Sequence, residues 1–194
     1  MSQPGLLDIG LIVAREFDRL GVPYLVGGSI ASGVHGVPRL TQDIDIAAVV
    51  REEHVEPLLK ALQGPFYADD YLIRSAIRRR GIFNVIHIRS SNKVDVHVLE
   101  PDAFQRSQLE RAPRTKLRAD DTQLVPVTTP EDIVLQKLLW YRKSDGSLER
   151  QLHDIAGVLK FQGERLELAY MRSWARQLDL APLLEEQLQL AGLA

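Results

Sequence analysis

Apolar residues recur along the chain with two different periods, and each run predicts an element. Leu6, Ile9, Ile12, Val13, Phe17 and Leu20 fall near three- and four-residue spacing. That is one face of a helix over Leu6–Leu20, closed by Gly21 and Pro23. Tyr24-Leu25-Val26 is a short apolar run that ends in Gly27-Gly28-Ser29. A small helix is predicted over residues 30–35, stopped by Gly36 and Pro38. The β-branched segment 42–50 predicts a strand, and 51–63, with Val55, Leu58, Leu59 and Leu62, a helix ended by Gly64-Pro65. Residues 83–88 and 94–99 predict two strands joined by the turn residues Ser90-Ser91-Asn92. Leu124-Val125-Pro126-Val127 predicts a short edge strand, because a proline has no amide to donate.

From Thr129 onward the pattern is helical. Thr129 is placed to cap, Pro130 to open the first turn, and Asp132 lies three residues after the cap. Ile133, Leu135, Leu138, Leu139 and Trp140 supply an apolar face, and further helices are predicted over 148–161, 166–178 and 182–190. No internal repeat or low-complexity tract interrupts this order. The fold class expected is α/β, in an α+β arrangement. A mixed sheet would occupy a core at residues 1–127, with a helical region at 128–194 packed on it.

Composition narrows the function classes. Apolar residues are 45% and charged residues 26% of 194 residues, the balance of a folded globular chain. The formal net charge of −2 gives no global attraction to nucleic acid or membrane. Absence of cysteine removes disulfides, thiolate zinc sites and cysteine nucleophiles. The start Met1-Ser2-Gln3-Pro4-Gly5 lacks the basic and apolar regions of a leader, and no stretch reaches the roughly 18 apolar residues of a membrane span. A cytoplasmic protein is expected.

The candidate chemistry is acidic. Asp43 and Asp45 stand two apart in Gln42-Asp43-Ile44-Asp45-Ile46, so on a strand both point one way and the isoleucines the other. Asp95, in Lys93-Val94-Asp95-Val96-His97-Val98, lies on the polar face of a second strand. Strands disfavour aspartate, and like charges repel, so something must offset them. A divalent cation such as Mg²⁺, which prefers carboxylate oxygens, does so. Upstream, Gly27-Gly28-Ser29 joins a strand to a helix, and glycines there let backbone amides approach a phosphate. It is neither a Walker loop nor a dinucleotide fingerprint.

A Gly-Gly-Ser turn, a D-x-D fourteen residues beyond Ser29 and a third strand aspartate together resemble the nucleotidyltransferase superfamily with a DNA-polymerase-β-like palm. Tyr24-Leu25-Val26-Gly27-Gly28-Ser29, His35-Gly36, Pro38-Arg39 and Thr41 look like its small bacterial members, abortive-infection toxins among them. The resemblance implies Mg²⁺-dependent transfer of a nucleotidyl group from NTP to an RNA, protein or small-molecule acceptor, with release of pyrophosphate. By it Asp43, Asp45 and Asp95 are catalytic and hold two Mg²⁺ ions. Gly27, Gly28, Ser29, Arg39 and Lys137 would bind the nucleotide. It also allows a toxin–antitoxin setting with a protein antitoxin. In the tail, Pro130-Glu131-Asp132, Lys137-Leu138, Arg150 and Asp154-Ile155 resemble the superfamily's helical motif. Arg150 and Asp154, four apart, are also placed to pair with each other.

Weaker candidates follow. His97 shares its strand face with Asp95, as a metal or substrate contact or as a hydrogen-bond partner. His35 reads as a helix-end packing residue, and Arg39 as a phosphate contact or a loop cation. Residues 71–118 carry eleven basic and four acidic side chains, net +7, a possible grip for a triphosphate or an RNA backbone. The alternative to an enzyme is a non-catalytic nucleotide-binding or toxin/antitoxin partner protein on the same fold.

Overall fold

The computed structural model describes residues 4–144 and 149–193. Met1, Ser2 and Gln3, read above for a leader, and Leu148, the expected start of a tail helix, lie outside them. In chain order the elements are α1 (Leu6–Leu20), β1 (Tyr24–Val26), α2 (Gly28–His35), β2 (Asp43–Ala48), α3 (Glu52–Leu62), β3 (Phe66–Tyr67) and α4 (Asp70–Arg79). Then follow β4 (Ile82–His87), β5 (Lys93–Val98), α5 (Ala103–Arg111), β6 (Arg114–Thr115) and β7 (Val125–Pro126). The chain ends with α6 (Pro130–Lys143), α7 (Glu149–Gln162), a 3₁₀ turn (Gly163–Arg165), α8 (Leu168–Gln177) and α9 (Ala181–Leu190).

The chain forms two compact units. The first comprises residues 1–27 and 40–127, the second residues 28–39 and 128–194. In the first unit a five-stranded mixed sheet has the order β1-β2-β5-β4-β3. The β2–β5 pair is parallel, and the β1–β2, β4–β5 and β3–β4 pairs are antiparallel. Side chains alternate across each strand. Ile44, Ile46, Val94, Val96, Phe83 and Val85 form one buried face, closed by Ile9, Val13 and Phe17 of α1, Val55, Leu58 and Leu62 of α3, and Ile73 of α4. At Gly10 the approach is so close that a Cβ would come within 2.4 Å of Ile44 Cδ1. The opposite face carries Asp43, Asp45 and Asp95. The two-residue strands β6 and β7 pair beside β1, where Val127 bridges Val26.

The second unit packs α2 against α6 and α7 and surrounds α6 with α7, α8 and α9. Thr129 caps α6 by accepting from the Asp132 amide (3.2 Å). The Asp132 carboxylate is fully buried yet satisfied. It accepts from Thr129 Oγ1 at 3.0 Å and from the Tyr170 hydroxyl at 2.7 Å, tying the start of α6 to α8. Gly36 lies flat on α7. A Cβ there would meet the Gly157 carbonyl carbon and the Val158 nitrogen at 2.8 Å, and neither backbone atom can turn aside.

Candidate active site

The parallel register of β2 and β5 sets Asp45 directly opposite Asp95 and Asp43 opposite Lys93. The pleat turns all four side chains to the face away from the helices, so three carboxylates share a patch two strands wide. Their neighbours are polar and positioned. Asn84, opposite Asp95 on β4, donates from Nδ2 to Asp95 Oδ1 at 2.5 Å. Lys93 donates to Asp95 Oδ2 at 2.6 Å and lies 3.6 Å from Asp43 Oδ2. Those carboxylates hold the Lys93 ammonium above its ordinary pKa, the hydrogen bond to Asp95 being the largest cause. His97 Nε2 donates to Asp45 Oδ1 at 3.2 Å, so His97 is a hydrogen-bond partner of the acidic patch. Thr41 Oγ1 donates to Asp43 Oδ1 at 2.9 Å. Both oxygens of Asp95 are thus occupied by a positioned donor, which fixes its carboxylate plane.

Among the described residues, no three His, Cys, Asp or Glu side chains converge tightly enough to enclose a metal ion as they stand. The donor set fits one all the same. It consists of hard oxygen ligands on adjacent strands, and a cation, the Lys93 ammonium, is already seated against Asp43 and Asp95. A divalent ion on those oxygens would displace that ammonium.

The glycine turn follows β1 directly. The Gly27 amide donates to the Asp45 carbonyl at 2.9 Å, so β1 continues alongside the acidic strand to its last residue. Gly28, the first residue of α2, has φ 56°, the left-handed region that glycine enters without a Cβ penalty.

In the second unit, Ser29 and Arg39 are brought together, with Arg39 Nη2 donating to Ser29 Oγ. Arg39 also donates from Nε to Asp154 Oδ1 at 3.0 Å, and Lys137 Nζ donates to Asp154 Oδ2 at 2.7 Å. A third partner, Gln151 Oε1, accepts from Lys137 at 3.0 Å. Lys137 and Asp154 are each about 5% exposed at the side chain, and Arg39 is 38% exposed. Asp154 is therefore the hub of two cations drawn from α6 and from the segment after α2. Arg150, its expected helical partner, is exposed. His35 donates from Nε2 to the Thr128 carbonyl at 2.7 Å, and burial lowers its pKa.

Four arginines of the basic segment 71–118 are engaged by carboxylates: Arg74 by Asp70 and Glu52, Arg80 by Glu100, Arg114 by Asp18, and Arg118 by Asp8 and Asp121.

Sequence reasoning missed Asn84, Lys93 and Thr41 as parts of the acidic patch. The signal was available for Lys93 and Thr41, each two residues before an aspartate of the patch.

No family model matches the chain, and no curated protein matches it by sequence. Solved structures do. An antigenic nucleotidyltransferase-like protein from Paracoccidioides brasiliensis superposes with a TM-score of 0.58 at 22% identity, covering 95% of this chain and 92% of that one. The antibiotic-resistance factor ANT(2″)-Ia superposes with a TM-score of 0.54 at 15% identity, covering 93% and 94%. Shared over nearly the full length of each chain, with the mixed sheet described above, this likeness gives the protein the fold of the nucleotidyltransferase superfamily.

Proposed function

We infer that the protein transfers a nucleotidyl group from an NTP to an acceptor hydroxyl and releases pyrophosphate. The observation that carries this reading is the placement of Asp45 opposite Asp95 on parallel strands, with Asp43 on the same face. The acceptor oxygen attacks the α-phosphorus and forms the new P–O bond. The bond from that phosphorus to the bridging oxygen of the β-phosphate breaks, and pyrophosphate carries away the electron pair. The hydroxyl proton passes to the Asp95 carboxylate, which Asn84 orients. Asp43, Asp45 and Asp95 would hold Mg²⁺, two ions by the resemblance, which would supply charge neutralisation at the triphosphate and would acidify the attacking hydroxyl.

The proposed nucleotide-binding residues are Gly27, Gly28, Ser29, Arg39 and Lys137. Support for them is the left-handed Gly28 at the strand-to-helix turn and the two cations ordered by Asp154. Because ANT(2″)-Ia is an antibiotic-resistance factor, antibiotics belong among the acceptors to be offered, beside RNA and protein. No helix among the described residues is long and apolar enough to cross a membrane. The proposal places the protein in the cytoplasm, where NTP is available. A toxin role with a protein antitoxin rests on the motif resemblance. Growth arrest on expression, abolished by Asp43→Asn, is its test.

The test of the central reading is pyrophosphate release with each of four labelled NTPs, Mg²⁺ and a mixed acceptor pool, against Asp43→Asn. Release by the wild type alone supports transfer. One observation favours the non-catalytic alternative, namely the Lys93 ammonium already seated on Asp95 and Asp43. Nucleotide binding with no pyrophosphate from either protein would establish it.

A further inference from the structure

The open face of the first unit's sheet does not end at the carboxylates. Register aligns Asp43, Lys93, Ile86 and Tyr67 in one row across β2, β5, β4 and β3. The next row is Asp45, Asp95 and Asn84, and the third is Ala47, His97 and Ile82. Beyond the acidic patch, then, lies a strip of Ile82, Ile86 and Tyr67 with Asn84 between the isoleucines, and Ile88 just past the end of β4 extends it. Ile82, Tyr67 and Ile88 are 50%, 52% and 58% exposed. The water-facing side of an antiparallel pair ordinarily alternates to polar residues. An apolar cluster there, broken only by Asn84, marks a binding surface more often than chance.

We propose that this strip is the acceptor platform, and that the acceptor is a small hydroxyl-bearing molecule with an apolar or planar face and no phosphates. The inference deepens the nucleotidyl-transfer reading and rests on it. Strand order supplies the first argument. The glycine turn follows β1, on one side of the β2–β5 carboxylates, and the strip lies on β4 and β3, on the other side. In-line displacement needs the attacking oxygen opposite the departing pyrophosphate, so a nucleotide with its phosphates toward β1 receives its acceptor from the β4 side. Distance agrees. At about 4.8 Å per strand, Asn84 is one strand from Asp95 and Ile86 two strands from Asp43. A molecule of drug-like size seated on the strip therefore reaches the carboxylates.

Charge supplies the second argument. Three aspartates and one lysine make the patch negative, and none of Ile82, Asn84, Ile86, Tyr67 and Ile88 is basic. Arg74, Arg80, Arg114 and Arg118 are engaged by carboxylates of their own unit, and Arg78, Arg79, Arg106 and Arg111 are not among the residues of this strip. Arg89, on the turn after Ile88, offers a single phosphate contact. A polyanion has little to hold on this face, whereas a Tyr67 ring and three isoleucine side chains suit an apolar or planar surface. Asn84 offers the polar group that orients it.

The test observes isoleucine methyl resonances of the full-length protein labelled at those methyls. Phenyl β-D-glucoside and decaadenylate RNA are titrated separately, with and without Mg²⁺ and α,β-methylene-ATP. The platform predicts that the glucoside, in the millimolar range, shifts the methyls of Ile82, Ile86 and Ile88 but not those of buried Ile44 and Ile46. Its affinity should change less than twofold between about 50 and 200 mM salt. Tyr67→Ser combined with Ile86→Ser should weaken it about tenfold while leaving nucleotide-analogue affinity unchanged, since about 1.4 kcal/mol is a tenfold change. RNA that shifts the same methyls and weakens roughly 20-fold over that salt range, as three phosphate contacts on a single strand require, overturns the proposal. So does silence of those methyls with both probes. Calorimetric binding of the nucleotide analogue is scored separately. Its absence sinks the transfer reading, whereas analogue binding with silent methyls sinks the platform alone.

Discussion

Replacing Asp154 with alanine removes the carboxylate 2.7 Å from Lys137 Nζ, at a place where the ammonium has about 5% exposure. Desolvation of a charge is tolerable when a counter-charge is in contact, and costly when it is taken away. Breaking a buried pair by deleting one partner costs about 3–5 kcal/mol. Gln151 still accepts from Lys137, which argues for the lower end of that range. Arg39, more exposed, can turn its guanidinium to water and adds little. At roughly 2–4 °C per kcal/mol for a chain of this size, the melting temperature should fall by about 10 °C. Replacing both partners, Lys137→Met with Asp154→Leu, swaps an ion pair for apolar bulk and should restore stability to within about 1 kcal/mol of the wild type.

The assay is urea unfolding of wild type, Asp154→Ala, Lys137→Met, Asp154→Leu and the double variant, the last three closing a double-mutant cycle with the wild type. A coupling energy of about 2–3 kcal/mol is expected. A loss below about 1 kcal/mol for Asp154→Ala would refute the burial argument. The stable double variant then separates scaffold from chemistry. If Lys137 binds the nucleotide phosphates, it folds but loses NTP affinity. If its affinity equals that of the wild type, Lys137 is a structural counter-ion and its assignment to the nucleotide fails.

Asp43→Asn and Asp45→Asn should abolish metal-dependent pyrophosphate release while circular dichroism and melting temperature stay put, because both side chains are on the open sheet face. Asn84→Ala frees one oxygen of Asp95 and should lower kcat about tenfold with KM for NTP unchanged, a split that steady-state kinetics reads directly. Gly36→Ala forces a methyl to within 2.8 Å of the α7 backbone and should cost about 1–3 kcal/mol in thermal or urea unfolding. His35 has its pKa lowered by burial from 6.5, so the unfolded chain binds the proton more readily. Its stabilising contribution is present above that value and is lost as pH falls through it, and His35→Gln should flatten the stability profile between neutral and mildly acid pH.

Some elements announce themselves locally and others do not, for physical reasons. The α1 helix was readable to the residue because Ile9, Val13 and Phe17 hold one face and Gly21 takes the left-handed cap at φ 66°. Strands β2 and β5 were readable because their burial alternates strictly. Two helices escaped. In α5 only Phe104 and Gln108 are buried, too few to show a period, although Asp102 and Gln105 form a capping box that marks its start. In α4, Tyr71 and Leu72 face water while Ile73 and Ala76 face the core, which blurs the apolar stripe, and the Arg78-Arg79-Arg80 run hides the end. The partner of Asp154 was beyond local reach. Spacing pointed to Arg150 four residues away, but the carboxylate is taken by Lys137 and Arg39, the latter 115 residues distant in sequence.

The acidic patch was legible for the opposite reason, because the sequence violates a local preference there. Three aspartates on neighbouring strand positions repel one another unless each is offset by a donor or a cation. Asn84 and Lys93 hold the two oxygens of Asp95, His97 donates to Asp45, and Thr41 donates to Asp43. Each carboxylate therefore has a donor of its own before any metal arrives, and the patch persists without one. If the acidic patch holds a divalent ion as proposed, the Lys93 ammonium and that ion would compete for the same oxygens. Lys93→Met should consequently raise Mn²⁺ affinity, read by the paramagnetic signal of the free ion, by about tenfold or more, since removal of a contacting like charge is worth at least about 1.4 kcal/mol at a partly desolvated site. Unchanged or weaker Mn²⁺ binding would mean that the ammonium and the metal occupy different oxygens, and that the acidic patch is a salt-bridged surface of the sheet.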